Sequence, residues 1–147
     1  MSRMGMLCDY FMAPSNSAAA EVIDLVGGPD EAGFPVVQSG IEPVVALGAL
    51  EGILGGRPFA ERLSQSPDPV AMQGGGERLV MPVDPVLVEL VRTGEESALQ
   101  AAAQPWSQIE EFWGAMSPDE AGDFLRDFRS LCLTAGPQEA VYCWLSV

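Results

Sequence analysis

Both ends of this 147-residue chain read as strands that are apolar on each face. Near the start, Met4 to Met12 is rich in apolar and aromatic residues and stops at Pro14. At the end, Val141, Tyr142, Cys143, Trp144 and Leu145 follow one another within a strand reading from Ala140 to Val147. A strand with two apolar faces reads as buried, and at a bare edge it invites aggregation. The two ends therefore belong inside one sheet, with side-by-side pairing as one way to meet that demand. Everything between them has to pack around that sheet.

The intervening chain reads mainly as short helices. Ser15-Asn16-Ser17 offers caps for a helix carrying Ala18, Ala19, Val22, Ile23, Leu25 and Val26, stopped by Gly27-Gly28-Pro29. A Gly/Pro/acid loop over 27–40 follows, with Pro35-Val36-Val37 as a short extended piece. Pro43 then opens a helix with Glu42 at the positive end of its dipole, and Val44, Leu47, Leu50, Ile53 and Leu54 on one side. A short helix is expected over Pro58 to Leu63, then a mobile loop over 64–76 that includes Gly74-Gly75-Gly76. Arg78 to Val83 reads as a middle strand. Asp84-Pro85 caps a helix bearing Val86, Leu87, Leu90 and Val91, and Glu95 to Ala103 forms another that Pro105 breaks.

Two capping boxes follow, Ser107 with Glu110 and Ser117 with Glu120, each expected to open a helix. The first would run to about Met116. The second has the clearest periodicity in the chain. Ala121, Phe124, Leu125, Phe128, Leu131 and Cys132 lie on one face, and Asp119, Asp123, Arg126, Asp127 and Arg129 on the other. The expected architecture is α+β: one globular domain over 1–147 with mobile loops near 27–40 and 64–76. Its small sheet is mostly antiparallel or mixed and includes both terminal strands, with five or six short helices packed on one face.

Composition removes much chemistry. The chain holds no histidine and no lysine, and its cations are seven arginines against 21 Asp and Glu, for a net charge of -14. Without imidazole there is no Ser-His-Asp or Cys-His nucleophile pair; without lysine there is no Schiff base and no phosphate-binding P-loop. The negative charge argues against nucleic acid and against anionic lipid surfaces, and for a basic partner. No segment reads as a secretory signal or a membrane span. Cys8, Cys132 and Cys143 are odd in number and far apart. They read as reduced, buried thiols of a cytoplasmic protein, with no metal site and no cofactor.

Three stretches carry a family resemblance: Met4-Gly5-Met6, the helix from Ile41 through Leu54-Gly55-Gly56, and the ending from Phe124 to Leu145. Together they resemble the YfbM-like family of small bacterial proteins of unknown function. Where that family's middle helix commonly carries Trp and His, this one is apolar. The resemblance implies an α+β fold and supplies no activity and no catalytic residues.

The most distinctive segment for function is Pro105 to Trp113. Trp106, Glu110 and Trp113 fall on one helical stripe, with Glu111 beside them. Such a stripe suits a contact patch or a pocket for a cation. The competing reading makes Ile109, Phe112, Trp113 and Met116 a core face, with Glu110 only completing its capping box. Asp9 and Tyr10 on the first strand, with Tyr142 on the last, are further candidates to line a concavity. The function these features suggest is a cytoplasmic binding module, an accessory or antitoxin-like protein for a basic protein partner, rather than an enzyme. The alternatives are a small carboxylate-based enzyme or small-molecule-binding domain, and homo-oligomerisation through surplus apolar surface.

Overall fold

The computed structural model describes residues 7–25, 28, 29, 33–55, 68–135 and 139–146. Its strands are β1 (Leu7–Ala13), β2 (Val36–Ser39), β3 (Ala71–Gln73), β4 (Arg78–Pro82) and β5 (Ala140–Ser146). Its α-helices are α1 (Asn16–Ala20), α2 (Val45–Ile53), α3 (Pro85–Thr93), α4 (Glu96–Ser107) and α5 (Pro118–Thr134). The strands form one sheet in the order β2-β1-β5-β4-β3, antiparallel throughout. The fold is α+β, as the sequence requires, and the terminal strands are neighbours. They pair over their whole length, from Leu7 opposite Ser146 to Ala13 opposite Ala140.

Alternation along these two strands builds two cores. Cys8 and Tyr10 of β1, with Val141, Cys143 and Leu145 of β5, join a large cluster that includes Leu47, Leu87, Leu99, Leu125 and Phe128 from α2 to α5. Phe11, Ala13, Tyr142 and Trp144 point the other way and meet Ala19, Val22 and Ile23. The expectation of helices on a single face therefore holds for α2 to α5 alone. The opposite face is covered by α1 and the 3-10 segment Glu21–Asp24. Two apolar faces on a central strand pair leave no other solution.

The caps behave as their chemistry dictates. Ser15 accepts from the Ala18 N–H, Asp84 from Val86, and Ser117 and Glu120 close a reciprocal capping box. Glu42 takes up the free amides of Val44, Val45 and Ala46 at the start of α2.

Three expectations need correction. The stretch 64–76 is not all loop: β3 lies within it, joined to β4 by Gly74, Gly75 and Gly76 with φ of 64°, 69° and 108°. Only glycine enters that left-handed region freely, so the three glycines serve a hairpin turn. Within 27–40, the extended piece read at Pro35-Val36-Val37 forms as β2 (Val36–Ser39). Pro105 does not end its helix: α4 continues to Ser107. Ser107 is consequently a last-turn residue whose hydroxyl donates to the Gln104 carbonyl, and the helix expected from Ser107 to Met116 does not form. The helix expected over Pro58 to Leu63 lies outside the described residues, as does Met4 to Met6.

Because β5 hydrogen-bonds to both β1 and β4, removing residues 140–147 should abolish cooperative unfolding in a thermal melt. A soluble truncation that melts cooperatively would contradict this architecture.

Candidate functional site

Trp106 and Trp113 exchange the roles that a continuous helix would give them. Trp106 is fully buried (0% exposed), and its indole N–H donates to the Ala46 carbonyl of α2 at 2.9 Å. It is a core residue tying α4 to α2 and cannot belong to a contact patch. Trp113 is 88% exposed. The cause is the short 3-10 segment Glu110–Phe112 that replaces the expected helix. Phe112 packs edge-on against Trp106, with ring centroids 5.3 Å apart, and pins the segment to the core. The next residue must then turn outward. Trp113 does so in the left-handed region, at φ 53° and ψ 30°, with its N–H donating to the Glu110 carbonyl at 3.0 Å. A bulky residue pays about 1–2 kcal/mol for that conformation. Among the described residues Trp113 is the one non-glycine residue at positive φ.

Trp113 stands at one end of a groove of about 780 Å³. One wall is β2 and its continuation, Val37 to Ile41; the other is α5, and Phe112, Met116 and Phe124 supply apolar lining. A second cavity of about 650 Å³ continues past Asp127 along Phe34 to Gln38, bounded by Ser130, Leu131 and Thr134 of α5. Val37, Gln38 and Asp127 border both, so the two form one trough between a strand and a helix.

Four carboxylates line the first part: Glu111, Glu120, Asp123 and Asp127, all exposed. Asp123 pairs with Arg126 at 3.0 Å, and Glu120 accepts the Ser117 amide at 2.9 Å. The trough itself receives no arginine among the described residues that line it. It is a negatively charged channel with an aromatic end.

The remaining candidates fall elsewhere. Glu111 lines the groove, whereas Glu110 is exposed on the same 3-10 segment and contributes its carbonyl to the Trp113 turn. Asp9 and Tyr10 are buried and do not line the trough. Tyr10 acts from behind: its hydroxyl donates to the Ile41 carbonyl, fixing the strand end that forms the groove wall. Ser39 supports the same bend, donating to the Cys8 carbonyl and accepting from the Ile41 N–H, each at 3.1 Å. Tyr142 faces the opposite core and donates to Asn16 at 2.6 Å.

Burial holds the Tyr10 phenol well above its ordinary pKa, with Cys143, Cys8 and Glu42 acting in the same direction. Burial also pushes Cys132 up to about 12 against the opposing pull of Arg92, and raises Cys143 well above the usual thiol range. All three cysteines are buried and unbridged; the raised pKa values of Cys132 and Cys143 make those two thiols poor nucleophiles.

Sequence reasoning missed α5's part in the site. Glu120, Asp123 and Asp127 were visible as carboxylates spaced i, i+3 and i+7, a single helical stripe. Nothing in the sequence said that β2 would lie opposite. No protein-family model, curated protein or solved structure matches this chain.

Trp106→Ala should cost about 3–5 kcal/mol as a core truncation that also removes the indole bond to the Ala46 carbonyl. Trp113→Ala should leave stability within about 0.5 kcal/mol, and Trp113→Gly should raise it by up to about 1 kcal/mol by relieving the left-handed backbone. Chemical denaturation of the three variants checks the order; equal losses at both tryptophans would refute the assignment.

Proposed function

We propose that this chain is a binding module for a basic protein partner, received in the trough between β2 and α5. The observation that supports it is the pairing of the exposed, backbone-strained Trp113 with four exposed carboxylates along one groove. The tryptophan supplies a rigid aromatic anchor, the residue type most enriched in interface hot spots. The carboxylates supply the rim and steer a cationic surface toward it, which the net charge of -14 reinforces at longer range. A guanidinium group seated on Trp113 would meet both the ring face and the nearby Glu111.

An enzymatic reading would be favoured by a carboxyl group shielded from water within the groove. The groove carboxylates are all exposed, which favours binding.

Trp113 also provides the readout. Trp106 and Trp144 are buried, so quenching of tryptophan fluorescence by acrylamide reports chiefly on Trp113. A short peptide of alternating arginine and valine should shield that fluorescence at low salt. Raising salt from about 0.05 to about 0.5 M should weaken its binding about tenfold or more, as screening shortens the reach of the carboxylates. Trp113→Phe should remove the optical change, and Asp123→Asn with Asp127→Asn should weaken binding without altering the melting temperature. Unchanged quenching at low salt would overturn the proposal.

A further inference from the structure

The trough has the layout of a site for an added strand. β2 pairs with β1 on one side and, among the described residues, with no strand on the other. An open sheet edge carries a row of backbone N–H and C=O groups ready to pair with another chain, and proteins usually protect it by keeping the strand very short or with charge, proline or a bulge. The strand is short, at four residues, and Pro35 precedes it, but within Val36–Ser39 there is no charged residue and no proline. The protein that places 21 acids on its chain leaves this edge neutral and valine-rich.

The helix opposite carries the charge instead. Glu120, Asp123, Asp127, Ser130 and Thr134 recur at alternating intervals of three and four, the spacing that keeps residues on one stripe. All five border the trough. The stripe runs against β2: Glu120 and Asp123 share a cavity with Ser39 to Ile41, whereas Ser130 and Thr134 share one with Phe34 to Pro35. An extended segment laid along β2 would direct every second side chain toward that stripe, about 6.7 Å apart. Carboxylates at a mean interval of three and a half helical residues recur about every 5.3 Å, a difference that long arginine side chains span.

Resting on the reading of the trough as a site for a basic partner, the geometry points to the mode of capture. The partner presents an extended segment with arginine or lysine at alternate positions, which joins the sheet as a strand beside β2. Backbone pairing with β2 holds the segment; Glu120, Asp123 and Asp127 select its cations; Trp113 covers one end. The β2 edge is held ready for this by Tyr10 and Ser39 from behind.

Three peptides of alternating arginine and valine test it against the intact protein, by calorimetry at low salt. One is unmodified, one is N-methylated at every arginine, and one at every valine. In an added strand, the N–H groups of alternate residues point to the sheet and the others to solvent. Strand addition therefore predicts that exactly one methylated peptide loses affinity, by about tenfold or more for several lost backbone hydrogen bonds, while the other binds like the parent. If both methylated peptides bind like the parent, or both lose affinity, strand addition is wrong and the basic-partner reading stands. If the unmodified peptide does not bind at low salt, both fail together. A glutamate-valine peptide should not bind, and its binding would remove charge from the account.

Discussion

Five aromatic rings set the frame on which the rest of the protein depends. Tyr10 meets Phe124 and Phe128 edge-on, at 5.6 and 5.4 Å; Phe124 stacks on Phe128 at 5.4 Å; Trp106 contacts Phe124 and Phe112. The cluster joins β1, α4, the 3-10 segment and α5 at one place. Each polar tip then reaches a backbone carbonyl outside it: Tyr10 that of Ile41, Trp106 that of Ala46. Buried hydroxyl and indole groups without a partner would cost about 1–3 kcal/mol each, so these two bonds fix where the β2 bend and α2 lie. Large rings interlocked this way tolerate little movement.

The groove follows from that frame. Phe112 is held by Trp106, so Trp113 is driven outward; Tyr10 holds Ile41, so the groove wall is set from inside the core. The face of α5 that packs on the cluster leaves its stripe of carboxylates turned toward β2. A rigid apolar interior thus presents a charged exterior at a fixed distance from a β2 edge that, among the described residues, pairs with no strand. Preorganisation of this sort lowers the entropy cost of capturing an extended segment. It also explains why a left-handed tryptophan persists: the turn is constrained from both sides, and the cost is absorbed by the packing of its neighbour.

Most of the fold was legible because it rests on local signals. The terminal strands followed from two-faced apolar patterning, α5 from its six-residue stripe, and the caps at Ser15, Asp84 and Ser117 from side chains that reach their own helix ends. The second layer over Phe11 and Trp144 was implied by the same patterning and went unread. What escaped were features decided by tertiary packing. Pro105 is accommodated within the last turns of α4, where Trp106 locks the helix to α2, and this shifts every residue after it out of the expected helix. The stripe of Trp106, Glu110 and Trp113 dissolved for that reason. β3 was hidden by its brevity and by glycines that serve a hairpin. The groove is a relation between residues 34–41 and 111–134, and no spacing within either segment encodes it.

The central claim is that one surface, between β2 and α5 and ending at Trp113, does the binding while the aromatic frame behind it stays still. A nitrogen-15 NMR titration with the arginine-valine peptide tests it directly, because each tryptophan contributes its own indole signal. The account predicts shifts in the Trp113 indole and in the amides of residues 36–41 and of α5 from Glu120 to Thr134. The Trp106 and Trp144 indoles should remain in place. Shifts confined to other surfaces, or a Trp106 indole that moves while Trp113 does not, would contradict it.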